Sequence, residues 1–202
     1  MNYNPDIHHR RSIRLRGYNY SQAGAYFVTI CTQHRLCLFG EIVERRMILN
    51  VAGQLVETVW QQLPHRFPQF AMDAFVVMPN HVHGIIVITD SDNPNRIPSD
   101  RAIPEPSPLG VCTTVRVPTR GTPTDAYAQT LGEIVGAFKS ITTHQYAIGV
   151  KQQNWTPFPG KLWLRNYYER IIRDEDGLNA VRQYIAENPR RWAEDSQNPI
   201  HL

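Results

Sequence analysis

AFVVMPNHVHGIIVI, residues 74–88, is an apolar run, a Met78-Pro79-Asn80 break, the triplet His81-Val82-His83 and a second apolar run. Each flank is short and rich in Val, Ile and Phe, which predicts two buried strands meeting at a turn. Side chains on a strand alternate faces, so His81 and His83 point one way and Val82 the other, into a core. Phe75 to Met78 and Ile85 to Ile88 are apolar without alternation, so the sheet is expected to be covered on both faces. Two imidazoles under such a cover need polar partners. One solution is the polar face of a half-buried strand. Another is a metal ion, since neutral imidazole is the commonest metal ligand.

The rest of the chain supplies the frame. GAYFVTICTQ (24–33) alternates at Tyr26, Val28 and Ile30 and is expected to be a strand. NVAGQLVETVWQQL (50–63) carries apolar residues at three-four spacing behind Asn50 as N-cap, with Pro64 ending the helix. Strands follow at 71–78 and 82–89. AQTLGEIVGAFKSITTHQYA (128–147) is a second amphipathic helix. KLWLRNYYERII (161–172) is read as a strand, and a last helix spans Asp174 to Glu187, with acidic residues in its first turn. Between residues 90 and 125 lie seven of the fifteen prolines and little periodic apolar content, which marks a long loop or insertion. Four strands alternating with two helices, plus one C-terminal helix, predict an α+β ferredoxin-like sandwich. Residues 1–202 are expected to form a single domain with a basic N-terminal arm (1–20) and the Pro-rich insertion (90–125).

Composition narrows the class. The 202 residues are 42% hydrophobic with net charge +3. No apolar run reaches the roughly 18 residues of a membrane span, and MNYNPDIHHRR has no secretory apolar region. Three cysteines without CxxC spacing suit a reducing compartment. Basic and aromatic residues cluster: Arg10, Arg11, Arg14 and Arg16 precede Tyr18, and Arg190 and Arg191 precede Trp192. Such interleaving suits nucleic acid, with arginine on phosphate and rings on bases. A solvated basic tail has the same composition. Lys139, on the second helix, is a further candidate for phosphate.

On the last helix Leu178, Val181 and Ile185 share one face. Tyr184 lies at its edge, and Asn188 one turn further on the same side. Docked near His81 and His83, that helix could offer a phenol and an amide oxygen to one spot. Two imidazoles and an oxygen leave positions open on Mg²⁺ or Mn²⁺, where a phosphodiester could bind. Tyr184 fits a nucleophile. It also fits an amphipathic packing residue, and Tyr167 and Tyr168 are alternatives that spacing cannot separate. Asn188 before Pro189 is equally a helix C-cap.

These motifs are similar to those of the single-tyrosine HUH transposases, and among them the REP-associated tyrosine transposases. The resemblance is carried by RRSIRLRGYNYSQAGAYFVTICTQ, VVMPNHVHGIIVI, LWLRNYYERIIRDEDGL and QYIAENPRRW. It implies that His81 and His83 are the paired metal ligands, that Tyr184 in Tyr-Ile-x-x-Asn-Pro is the nucleophile and that Asn188 completes the metal site. It further implies a Mg²⁺- or Mn²⁺-dependent enzyme that nicks and joins single-stranded or hairpin DNA through a 5′-phosphotyrosine. Such an enzyme would act in the cytoplasm on the nucleoid, as monomer or homodimer, without a membrane. The 90–125 segment is longer than the family's usual link. Two other classes stay open: a domesticated hairpin-binding protein that does not cut, and a zinc hydrolase of the His-x-His type. The latter would want an Asp where Ile85 stands.

Overall fold

The structure, a computed structural model, describes residues 18–89 and 130–201. The candidate DNA contacts Arg10, Arg11, Arg14 and Arg16, and the insertion at 90–125, lie outside the described residues. The elements are β1 (Gly24–Cys31), β2 (Gly40–Val43), β3 (Arg46–Leu49), α1 (Val51–Arg66), β4 (Phe70–Val77), β5 (His81–Ile88), α2 (Leu131–Gln152), β6 (Tyr168–Ile172) and α3 (Glu175–Glu187). Four strands form one antiparallel sheet in the order β4-β5-β1-β6. With α1 after β1 and α2 after β5, that order is the predicted ferredoxin-like α+β sandwich.

Each sheet face has its own core. Tyr26, Val28 and Ile30 of β1, with Val82 and Ile86 of β5, face α1 and α2 and pack on Trp60, Leu63, Ile134 and Phe138. Trp60 lies flat on the sheet, stacked on Phe75 at 4.4 Å and 11°. Gly84 permits this, because a Cβ there would run into the Trp60 ring. The opposite face, Phe27 and Ile85, is covered by Leu178, Val181 and Ile185 of α3. The sheet is therefore closed on both sides, and the faces divide at Val82 as the alternation predicts.

A β-bulge between Met72 and Phe75 disrupts β4 and places Asp73 at the irregularity. Its carboxylate accepts from Arg182 of α3, Nη2 at 2.6 Å and Nε at 2.8 Å. The guanidinium holds the Asp73 carboxyl below the usual carboxylate range. This two-pronged pair ties α3 to the sheet two residues before Tyr184. Arg182→Ala is expected to cost about 1–2 kcal/mol, discounted for partial exposure, and to loosen the Tyr184 end of α3. Chemical denaturation gives the first quantity. Hydrogen exchange of the α3 amides gives the second, and unchanged protection there would refute the anchoring role.

Several boundaries depart from expectation. α1 runs through Pro64 to Arg66: the proline gives up the bond its N–H would make to Trp60 O, but the helix ends two residues later and the Phe67 N–H still reaches Leu63 O at 3.1 Å. The β2–β3 hairpin was not anticipated. Its turn residues Glu44 and Arg45 both have positive φ (48° and 62°) without the Asn-Gly that usually announces such a turn. α2 starts at Leu131, where Thr130 and Glu133 form a reciprocal capping box, and continues to Gln152. The strand expected over 161–172 is confined to Tyr168–Ile172. Leu162 and Trp163 are neighbours and both buried, which a regular strand facing one core would not allow, and Trp163 Nε1–H donates to Thr142 Oγ1 at 2.8 Å.

Candidate active site

The register of β1 and β5 builds the floor of the site. Thr29 lies opposite His83, and Cys31 opposite His81. Both histidines point to the α3 side, where the apolar cover of Leu178, Val181 and Ile185 ends. His81 is fully buried and His83 nearly so. Their Nε2 atoms are 3.0 Å apart.

The hydrogen-bond network determines what those nitrogens present. The Asn80 amide donates from Nδ2 to Arg35 O (3.0 Å) and to Gln197 O (2.7 Å), so its Oδ1 is the atom facing His81 Nδ1 at 2.8 Å. His81 Nδ1 must therefore carry the proton, which leaves a lone pair on Nε2. His83 Nδ1 meets the Thr29 hydroxyl at 2.8 Å, which can donate or accept. If Thr29 donates, His83 Nε2–H donates to the His81 lone pair; if Thr29 accepts, two lone pairs face each other and a cation can sit between them. Two ligands at about 2.1 Å from one ion and at right angles are about 3.0 Å apart, which is the observed spacing. Burial lowers the His83 pKa from 6.5 to about 3. Burial, then the neighbouring His83 and the Arg35 charge, hold His81 well below its ordinary value. Both rings are thus neutral, the form that ligates metal.

Side-chain oxygens stand near Tyr184 and His81. The Asn188 side chain is buried next to Tyr184, and its Oδ1 has no hydrogen-bond partner. Asn188 is at the same time the α3 C-cap, so both predicted roles are compatible with its position. Asp195, which the sequence reading did not single out, follows the 3₁₀ helix Asn188–Glu194. Its Oδ2 is buried, unpartnered by a hydrogen bond and 3.7 Å from His81 Nε2. One ligand atom each from His81, His83 and Asp195 lie within 4.8 Å of one another. No local spacing links Asp195 to the histidines, which lie on a strand far earlier in the chain. An orphaned buried carboxylate oxygen of Asp195 beside two neutral imidazoles fits a divalent cation.

Tyr184 projects from α3 over this cluster. Its Oη lies 3.4 Å from His83 Nε2, and its ring stands edge-on to Phe27 at 5.9 Å. Burial and the Asp195 carboxylate raise its pKa, while the Asn188 amide and Arg191 pull it down. A cavity of about 360 Å³ opens beside it, lined also by Tyr167, Tyr168, Arg35 and Gln197. The structure thus brings together His81, His83, Tyr184 and Asn188, with the alternatives Tyr167 and Tyr168 on the same cavity.

The described DNA-contact candidates differ among themselves. Lys139 Nζ donates to the carbonyls of Leu164, Arg165 and Asn166 at 2.9, 3.2 and 3.3 Å, and lies over the Tyr167 ring. It holds the irregular 161–167 segment onto α2. Tyr18 packs against Tyr20 and shares a hydroxyl contact of 3.3 Å with Tyr26. Arg190 and Arg191 are exposed on the 3₁₀ helix, with Arg191 Nε 3.9 Å from Glu194.

Among known proteins, an uncharacterized protein of Haemophilus influenzae is 42% identical over 193 residues, which is 96% of this chain and 95% of that protein. The chain belongs to the family of that Haemophilus influenzae protein. No protein-family model matches the chain. A solved structure of a REP-associated tyrosine transposase bound to a REP hairpin aligns with 89% of this chain and 73% of its own, at TM-score 0.52 and 17% identity. At that identity the likeness is one of fold. The chain therefore shares the sheet-and-helix frame of that structure. No helix among the described residues is long and apolar enough to cross a membrane.

Proposed function

We propose that the protein is a divalent-cation-dependent enzyme that nicks and rejoins single-stranded DNA at hairpins, with Tyr184 as nucleophile. The observation that carries this is the placement of a half-exposed phenol 3.4 Å from one of two neutral, buried imidazoles whose nitrogens are spaced as ligands of one ion. His81, His83, Asn188 and Asp195 would hold the ion. A bound Mg²⁺ or Mn²⁺ would draw charge from a phosphoryl oxygen and favour the phenolate. The Tyr184 Oη–P bond then forms and the P–O3′ bond breaks. The phenolic proton leaves to solvent, and the departing 3′-oxygen takes one up. Attack by a 3′-hydroxyl on the phosphotyrosine reverses the step and joins strands without ATP. Hairpin DNA is the substrate by analogy with the transposase of like fold. The arm carrying Arg10, Arg11, Arg14 and Arg16, together with Arg190 and Arg191, would bind its phosphates. The test is incubation of the full chain with hairpin oligonucleotides bearing single-stranded flanks in Mn²⁺, followed by a denaturing gel. A covalent protein–DNA band supports the enzyme, and binding without any band or cleavage points to a non-catalytic hairpin binder.

Asp195 favours a second reading, because two histidines and a carboxylate also suit zinc hydrolysis. Elemental analysis of protein purified without added metal separates them: stoichiometric zinc together with esterase activity would support the hydrolase. The oxygen donors separate by substitution. Asn188→Ala and Asp195→Asn are each expected to weaken Mn²⁺ binding about 10-fold, with smaller effects on hairpin affinity. Titration calorimetry checks both. If Asn188→Ala lowers only the unfolding temperature, Asn188 is a helix cap and nothing more.

A further inference from the structure

The turn after β1 carries a basic side chain, Arg35, that lines the Tyr184 cavity. His34 and Arg35 both occupy the left-handed region, with φ of 57° and 55°. Two successive non-glycine residues there are costly, and such conformations persist where surrounding structure imposes them. Here the imposing contacts are known. The Asn80 amide holds the Arg35 carbonyl at 3.0 Å, and Thr32 Oγ1–H donates to Leu36 O at 2.9 Å. The same Asn80 sets the tautomer of His81, so the turn and the histidine pair are locked to one another.

This turn directs the Arg35 side chain into the cavity shared by His83 and Tyr184. Arg35 is the one lysine or arginine among the described residues lining that cavity. Its Nη1 is buried and makes no hydrogen bond. A charged donor left unmade in a buried place costs more than a neutral one, and its natural complement is an anion. Asp195 lines the same cavity without reaching ion-pair distance. The other nearby cation, Lys139, is directed to backbone carbonyls instead.

We infer that Arg35 is a phosphate-binding residue of this site, its guanidinium placed to take a non-bridging oxygen of a phosphodiester seated between His83 and Tyr184. The inference rests on the DNA-processing function proposed above and adds a group to it. A phosphodiester attacked by Tyr184 gains charge on its non-bridging oxygens, and Arg35 meets that charge from the protein side. Arginine suits this better than lysine, because its planar fork can engage two acceptors at once.

The experiment uses the full chain as wild type, Arg35→Gln, Arg35→Lys and, as a distant control, Arg66→Gln. The first arm follows covalent adduct formation on saturating hairpin DNA in Mn²⁺. Arg35→Gln is expected to slow it about 100-fold or more, with Arg35→Lys intermediate and hairpin affinity changed less than about 3-fold. The second arm places a neutral methylphosphonate at the mapped scissile position. There the difference between wild type and Arg35→Gln should shrink to less than about 10-fold, since the charge that Arg35 meets is gone. Equal rates on the ordinary diester, or the same loss on both substrates, would overturn the inference in favour of a structural arginine. The third arm titrates metal-free protein with inorganic phosphate, followed by titration calorimetry. Saturable binding should weaken about 10-fold in Arg35→Gln and not in Arg66→Gln. If wild type forms no adduct on any DNA, the DNA-processing function fails and this arm alone decides. Arg35-dependent phosphate binding keeps the anion site, and Arg35-independent binding removes it. Should Arg35→Gln not fold, Arg35→Lys carries the comparison in all three arms.

Discussion

Replacement of Tyr184 by phenylalanine should abolish the covalent protein–DNA adduct and reduce strand cleavage by at least about 10³-fold, the scale on which removal of a covalent nucleophile is felt. The substitution deletes one oxygen from a side chain that is 39% exposed. The ring keeps its edge-on contact with Phe27 at 5.9 Å and with His83 at 5.2 Å. The hydroxyl contact that is lost, 3.4 Å to His83 Nε2, is long, so stability should move by less than about 1 kcal/mol. Hairpin affinity and cation binding should both survive, which makes the defect one of chemistry. The cavity holds two rivals, Tyr167 and Tyr168. An adduct that persists in Tyr184→Phe and vanishes in Tyr168→Phe would move the nucleophile to β6. Tyr168 is more exposed, at 54%, so its phenylalanine variant is an equally mild probe.

Loss of either histidine should remove cation dependence. His81→Ala and His83→Ala are each expected to weaken Mn²⁺ binding by at least about 10-fold, and the pair of changes to eliminate it. Cleavage should fall with cation occupancy, while hairpin binding persists through the basic residues. The two variants differ in side effects. His81→Ala strands the buried Asn80 Oδ1, which costs about 1–3 kcal/mol and disturbs the turn that Asn80 holds. His83→Ala releases a Thr29 hydroxyl that can rotate to another partner, and removes the ring stacked on Phe27 at 5.3 Å. Unfolding curves recorded beside calorimetric titrations separate the two effects. Undiminished Mn²⁺-dependent cleavage in the double variant would mean that the histidine pair is not the cation site.

Much of this was legible in the chain. The division of β5 into a histidine face and a Val82 face followed from strand alternation, because a period of two leaves no freedom once a strand is assigned. α1 and α3 were read from three-four spacing, from Asn50 as N-cap and from the acidic first turn after Asp174. Asn50 accepts from Gly53 N–H as a cap does, and Asp174 proves to cap α3 by accepting from Gly177 N–H. The nearness of Tyr184 and Asn188 followed from one helical turn. The ferredoxin-like order followed from element sequence, since strands separated by helices have few ways to pair. Where reading failed, local signals pointed elsewhere. The β2–β3 turn uses Glu44 and Arg45 at positive φ, which the tight pairing of Val43 with Arg46 requires and residue preference does not suggest. Residues 161–167 alternate in hydropathy, yet are drawn off the strand path by Lys139 and by burial of Trp163.

What periodicity cannot carry is distance along the chain. The sequence by itself determined which residues share a strand face or a helix side, because those relations are local and periodic. Only the tertiary structure decided that Asp195 returns to His81, that Asn80 orients the His81 ring and that Arg35 enters the Tyr184 cavity. The Asn80 amide spans 117 residues to reach Gln197 O and 45 to reach Arg35 O, and no local pattern encodes such contacts. They arise where the strand ends of β1 and β5 meet the loops, beyond the apolar cover of α3. There, hydrogen-bond satisfaction selects partners from loops whose own sequences are silent about it.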